Sequence, residues 1–99
     1  MENITLETVH FKASNDLESF VKSKISKLFQ QNSAIIRADV TLFEGASGNH
    51  QNQYCEIQLS VPGENLFVKK RNDNFEKSIV EAVVALKKMM RRKKIKKIR

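Results

Sequence analysis

The chain has 99 residues, 40% of them hydrophobic and 29% charged, so it can build one small core that hides about 60% or a little more of its unfolded surface. That length excludes a multidomain enzyme. The composition excludes a disordered tail and a helical membrane protein, since no run approaches the roughly 18 apolar residues a spanning helix needs. The single cysteine, Cys55, excludes an internal disulfide and a cysteine-built zinc site. The start Met1-Glu2-Asn3-Ile4-Thr5 lacks the basic and apolar regions of a signal peptide, which makes the cytoplasm the expected compartment.

Residues 3–11 are short, β-branched and aromatic, with Ile4 and Leu6 on one parity and Val9 and Phe11 on the other, which predicts a first strand with a break or bulge near Glu7 and Thr8. Ser14 or Asn15 can cap a helix, and Glu18 lies three after Asn15 as in a capping box. Leu17, Phe20, Val21, Ile25, Leu28 and Phe29 then repeat at helical spacing up to Asn32 and Ser33. Ile36, Ala38, Val40 and Leu42 alternate with Arg37, Asp39, Thr41 and Phe43, the period of a half-buried strand. The polar, glycine-bearing stretch at 45–51 reads as a mobile loop with no assigned role. Cys55, Ile57, Leu59 and Val61 alternate with Tyr54, Glu56, Gln58 and Ser60, and Pro62-Gly63 turns the chain into a fourth strand near Leu66–Arg71. Asp73 with Glu76 resembles a second capping box, after which Phe75, Ile79, Ala82, Val83, Leu86 and Met90 recur helically.

The order β-α-β-β-β-α predicts an α+β two-layer sandwich, a mostly antiparallel four-stranded sheet with two helices on one face. The opposite face, carrying Arg37, Asp39, Thr41, Glu56, Gln58 and Ser60, is expected to stay wet. One domain is expected, with a compact body over 1–86 and a basic end over 87–99.

Charge separates those two parts. Residues 1–86 hold nine basic and eleven acidic side chains, net −2, while 87–99 hold nine basic and none acidic. A segment that cationic on a nearly neutral body attracts a polyanion, nucleic acid before an anionic membrane; the plain alternative is a solubilising tail. The apolar stripe of the second helix stops near Met90, because Lys93 and Lys97 fall at the angles of Phe75 and Ile79. Beyond it the segment has no core to pack on and projects into solvent, to be ordered on a phosphate backbone. In the first helix, Lys24 sits between Phe20 and Leu28 within the apolar stripe and Lys27 lies at its edge. Both fit snorkelling lysines, and both equally fit a cationic seam continuous with Lys87, Lys88, Arg91 and Arg92.

Enzyme chemistry finds no constellation. Cys55 is expected to point inward as an inert small hydrophobe, and His10 and His50 have no motif spacing to it or to a metal ligand. Walker-type, GxGxxG and HExxH patterns are absent, so a binding protein without metal, cofactor or small-molecule substrate is expected. Phe43, Tyr54 and Phe67 offer the residue types of a base-stacking platform, but core packing or edge shielding is the favoured reading. A membrane or protein-groove role for Met89, Met90, Ile95 and Ile98 ranks lower, since the isoleucines point away from the methionine side.

The element order, the Ala13-Ser14 helix start, the run Lys24-Ile25-Ser26-Lys27-Leu28, the Asp73-Asn74-Phe75 start of the second helix and its basic end together resemble the bacterial ribosome hibernation-promoting factor family, which includes the ribosome-associated inhibitor protein Y. The resemblance spans essentially the whole chain and fits the short form, without the further domain that pairs ribosomes. It implies a fold like that of double-stranded RNA-binding domains. It also implies a small protein that binds the small ribosomal subunit and its ribosomal RNA between head and platform, blocks the messenger and transfer RNA sites, and protects idle ribosomes; a monomer is expected. Carried over by position, Lys24 and Lys27 match the family's basic pair on the first helix and Lys87, Lys88, Arg91 and Arg92 its basic stretch on the second; Lys22 and Lys94 complete the expected RNA-binding set. The chain departs from the family where Phe75 stands for a frequent tyrosine and Ser78-Ile79-Val80 for a frequent Ala-Ile-Asp. A general RNA or DNA chaperone with a basic tail is the alternative function.

Overall fold

The computed structural model describes residues 3–45 and 52–92. The remainder of the expected loop, 46–51, lies outside the described residues, as does the end of the basic segment, 93–99, with Lys94. Six elements follow in chain order: β1 (Ile4–Val9), α1 (Asn15–Gln31), β2 (Arg37–Glu44), β3 (Gln53–Ser60), β4 (Asn65–Asn72) and α2 (Phe75–Arg92). The strands form one sheet in the order β1-β2-β3-β4. β1 runs parallel to β2, and β2, β3 and β4 pair antiparallel. The parallel pair follows from connectivity, because β1 and β2 are joined through a helix and the other two pairs by turning back.

Period-2 alternation fixes which side chains the sheet buries. Ala38, Val40 and Leu42 of β2, Cys55, Ile57 and Leu59 of β3, and Leu66 and Val68 of β4 all face the helices. There they meet Val21, Ile25 and Leu28 of α1 and Ile79, Ala82 and Leu86 of α2 in one continuous core. Burying each large aliphatic of this set is worth about 1.5–3 kcal/mol relative to leaving it in water. Ser78, fully buried on α2, donates its hydroxyl to the Gln53 carbonyl at 2.6 Å and so fastens the first turns of α2 to the start of β3. Among the described residues no helix is long and apolar enough to cross a membrane.

Three local expectations need correction. β1 has no bulge: its register with β2 is unbroken from Ile4 opposite Ala38 to Val9 opposite Phe43. The parity change comes later, at His10, whose φ of 70° turns the chain so that Phe11 stacks on Phe75 with ring centroids 4.6 Å apart. The cap of α1 is Ser14, whose Oγ accepts from the Leu17 amide at 3.1 Å, so Asn15 and Glu18 do not form the capping box. At α2 the cap shifts from Asp73 to Asn74. Asn74 Oδ1 accepts from the Lys77 amide at 2.8 Å, while Asp73 forms an ion pair with the Lys77 ammonium at 3.2 Å. Gly63 takes the expected positive φ, 95°, in the turn between β3 and β4.

The two helices point the same way. Phe11, just before α1, stacks on the first residue of α2, and Asn32, which caps the C-terminus of α1, donates its amide to the Met90 sulfur in the last turn of α2. Both C-terminal ends therefore arrive at one edge of the sandwich, the edge where β2 begins at Arg37.

Candidate nucleic-acid interface

The C-terminal turns of α2 follow from its amphipathic pattern. Leu86 and Met90 are buried, and at about 100° per residue Lys87, Lys88, Arg91 and Arg92 occupy an arc directed away from them. Lys88, Arg91 and Arg92 are exposed and Lys87 is half-buried. None of the four is in an ion pair among the described residues, whose ion pairs are Arg37–Asp39, Lys69–Glu56 and Lys77–Asp73. Two of them, Arg91 and Arg92, lie in the last described turn of α2. The arrangement is four positive charges on a rigid surface with their hydrogen-bond donors free for an anion.

On α1, Lys24 and Lys27 are about 60° apart and share a flank. Lys24 is half-buried, and its ammonium lies 5.4 Å from the centroid of the Phe20 ring. The stem thus covers apolar surface while the cation sits on an aromatic face. Lys27 is exposed, one turn before the end of the helix. No contact joins either lysine to the α2 cations. What associates Lys27 with them is the parallel course of the helices, which brings both C-terminal ends to the same edge. Lys22 is about 200° from Lys24 and stands on the opposite flank, in a groove over β1 lined by Ile4, Leu6, Thr8, Lys12, Ala13 and Glu18. The structure does not bring it together with the others.

The open face of the sheet holds a group that the sequence reading placed in the core or at an edge. Phe43 and Tyr54 lie opposite each other on β2 and β3 with rings stacked at 4.7 Å, on the side away from the helices. Lys69 of β4 holds its ammonium 5.4 Å from the Phe43 centroid and 5.2 Å from that of Tyr54, and pairs with Glu56 at 3.8 Å. Arg71 lies directly across from Tyr54, and Phe67, two residues before Lys69 on the same side of β4, is 53% exposed. Farther along the face, Asp39 accepts from the Thr5 hydroxyl at 2.6 Å and from Arg37 Nε at 2.9 Å. Those two bonds hold its carboxyl below the usual carboxylate range, the Thr5 bond contributing most.

Cys55 is fully buried, and burial pushes its thiol up to about 12, with the Glu56 charge adding to the effect. It is therefore a neutral core side chain and no nucleophile. Among the described residues no cluster of three or more His, Cys, Asp or Glu side chains could hold a metal ion.

Residues 4–98 match the family model described as sigma 54 modulation protein / S30EA ribosomal protein. No curated protein sequence matches significantly. Among solved structures, the N-terminal domain of Protein Y from Thermus thermophilus superposes with a TM-score of 0.76 at 21% identity, covering 93% of this chain and 98% of that one. A ribosomal subunit interface protein from Coxiella burnetii superposes with a TM-score of 0.78 at 13% identity, covering 95% and 99%. At those identities the likeness is one of fold.

Proposed function

The chain belongs to the sigma 54 modulation protein / S30EA ribosomal protein family, and from that premise we propose that it is a cytoplasmic ribosome-binding factor that docks as a monomer on the small subunit. It occludes the messenger and transfer RNA sites and so holds idle ribosomes inactive. The observation that carries the reading is the set Lys87, Lys88, Arg91 and Arg92, unpaired among the described residues and held on one outward arc of a helix whose other side is core. Such a set neutralises phosphates without reading bases. Lys27 at the same edge and Lys24 on its flank of α1 add cations to the contact, Lys94 is assigned to it from the sequence alone, and the rigid sandwich behind supplies the bulk that blocks a channel. Selection of the site then rests on shape, since phosphate contacts position a protein but carry no sequence information. Similarity in fold to a ribosomal subunit interface protein supports the choice of partner.

The test is sedimentation of the purified protein with small subunits in the presence of excess bulk cellular RNA, together with its addition to a translation extract. Retention on the subunit and arrest of initiation are the expected results. Transfer to the bulk RNA would instead identify a general RNA chaperone.

A further inference from the structure

We infer that the open face of β3 and β4 is a second RNA-binding surface, one that takes unpaired nucleotides by stacking their bases on Phe67 and beside Tyr54 while Lys69, Lys70 and Arg71 hold the adjoining phosphates. The inference rests on the RNA-binding reading above and extends it to a part of the molecule that the helices do not use.

Consider what lies on each side of β4. Phe67, Lys69 and Arg71 project from the open face, whereas Lys70 faces the helix layer and lines a groove with Val80, Glu81, Val84, Ala85 and Lys88 of α2. Lys70 and Lys88 therefore border the same groove, and the cationic arc at the end of α2 continues around the β4 edge onto the open face. The groove that Lys70 and Lys88 line holds one acid, Glu81, and among the described residues Lys69 alone of Lys69, Lys70, Arg71 and Lys88 is ion-paired, to Glu56 at 3.8 Å. The balance is positive, which complements a polyanion.

The aromatic groups then decide what kind of polyanion. Phe67 is more than half exposed on a face whose neighbouring positions, Gln58 and Lys69, are polar, so its ring is not buried by the fold. Tyr54 lies four residues along β3 from the partner of Phe67, about 13 Å away at strand spacing. Rings on an open sheet with cations between them are what single-stranded nucleic acid requires, because every base has a face to stack and every linkage a charge to neutralise. A duplex keeps its bases stacked on each other and has no use for the rings.

Tyr54 is the only tyrosine and the chain has no tryptophan, so intrinsic emission reports on this face alone. The full chain is titrated with single-stranded oligouridylate and, separately, with duplex RNA of equal length at the same salt. The single strand is expected to quench Tyr54 emission strongly and the duplex to leave most of it. Phe67→Ala is expected to weaken single-strand binding by about fivefold or more, and the double substitution Lys70→Ala, Arg71→Ala to weaken it with a shallower salt dependence. All three positions project outward or into a groove, so unfolding is not expected, and an unchanged urea midpoint verifies that. Equal quenching by both RNAs, binding unaffected by Phe67→Ala, or emission that changes with protein concentration alone because a second copy covers the face would each overturn the inference. The ribosome-binding reading fails separately, when substituting Lys87, Lys88, Arg91 and Arg92 leaves co-sedimentation with small subunits intact.

Discussion

Ser78 shows how much a single buried hydroxyl contributes to placing the interface. It is fully buried and donates to the Gln53 carbonyl at 2.6 Å, so the helix that carries the cations is anchored to β3 by one directional bond. Ser78→Ala removes the donor and should lower stability by about 1–3 kcal/mol. The reading is a lower urea midpoint with an unchanged slope, and an unshifted midpoint would mean that the bond is energetically idle. Cys55 gives a second residue-level expectation. Its thiol, raised to about 12 when folded, should not react with a thiol reagent at pH 8 until urea unfolds the chain. Because the folded value exceeds the unfolded one, the neutral thiol's contribution is complete below about pH 8.5 and is lost as pH climbs toward the folded value. Asp39 has the opposite sign. Its depressed value contributes above the ordinary carboxylate range and is lost as pH falls through it. Neither group creates a switch near neutral pH.

At the scale of elements, the caps set where each helix begins and hence how its cations are rotated. Ser14 and Asn74 accept from the Leu17 and Lys77 amides, so Ser14→Ala and Asn74→Ala should each cost about 0.5–2 kcal/mol. Asn15→Ala should cost less, having no cap bond to remove, and a larger loss there than at Ser14 would contradict the assignment. The choice of Ser14 over Asn15 and the shift of the α2 cap from Asp73 to Asn74 were not legible because each pair places two capping residue types side by side, and only backbone geometry chooses between them. The strands were legible for the opposite reason. Strict alternation in 37–43 and 54–61 admits one buried face, and a slip of one residue would expose the whole set; Ile36, which the alternation puts on that face, lies just before β2 and is 56% exposed, its place in the core being taken by Ile35. The bulge expected in β1 arose from reading Phe11 as part of the strand, when the left-handed turn at His10 carries it to the other layer. For the site, the outward arc on α2 follows from helical period alone, and so does the separation of Lys22 from Lys24. The seating of Lys24 on Phe20 and of Lys69 between Phe43 and Tyr54 depends on rotamers and cross-strand register, which alternation does not reveal.

For the whole molecule, parallel helices on one face of a mixed sheet place both C-terminal ends together. Coulomb repulsion among cations gathered at one edge costs stability that a bound phosphate backbone restores. RNA should therefore stabilise the protein against heat, and more so at low salt. An unchanged melting temperature with saturating RNA would be inconsistent with that coupling. The most direct test is the salt dependence of small-subunit binding by the unaltered chain and by the variant Lys87→Ala, Lys88→Ala, Arg91→Ala, Arg92→Ala. If these four side chains each neutralise a phosphate, the log–log slope of the variant should be shallower by roughly 3, with weaker binding at every salt concentration. Parallel slopes and equal affinity would place the ribosome contact elsewhere and contradict the central claim.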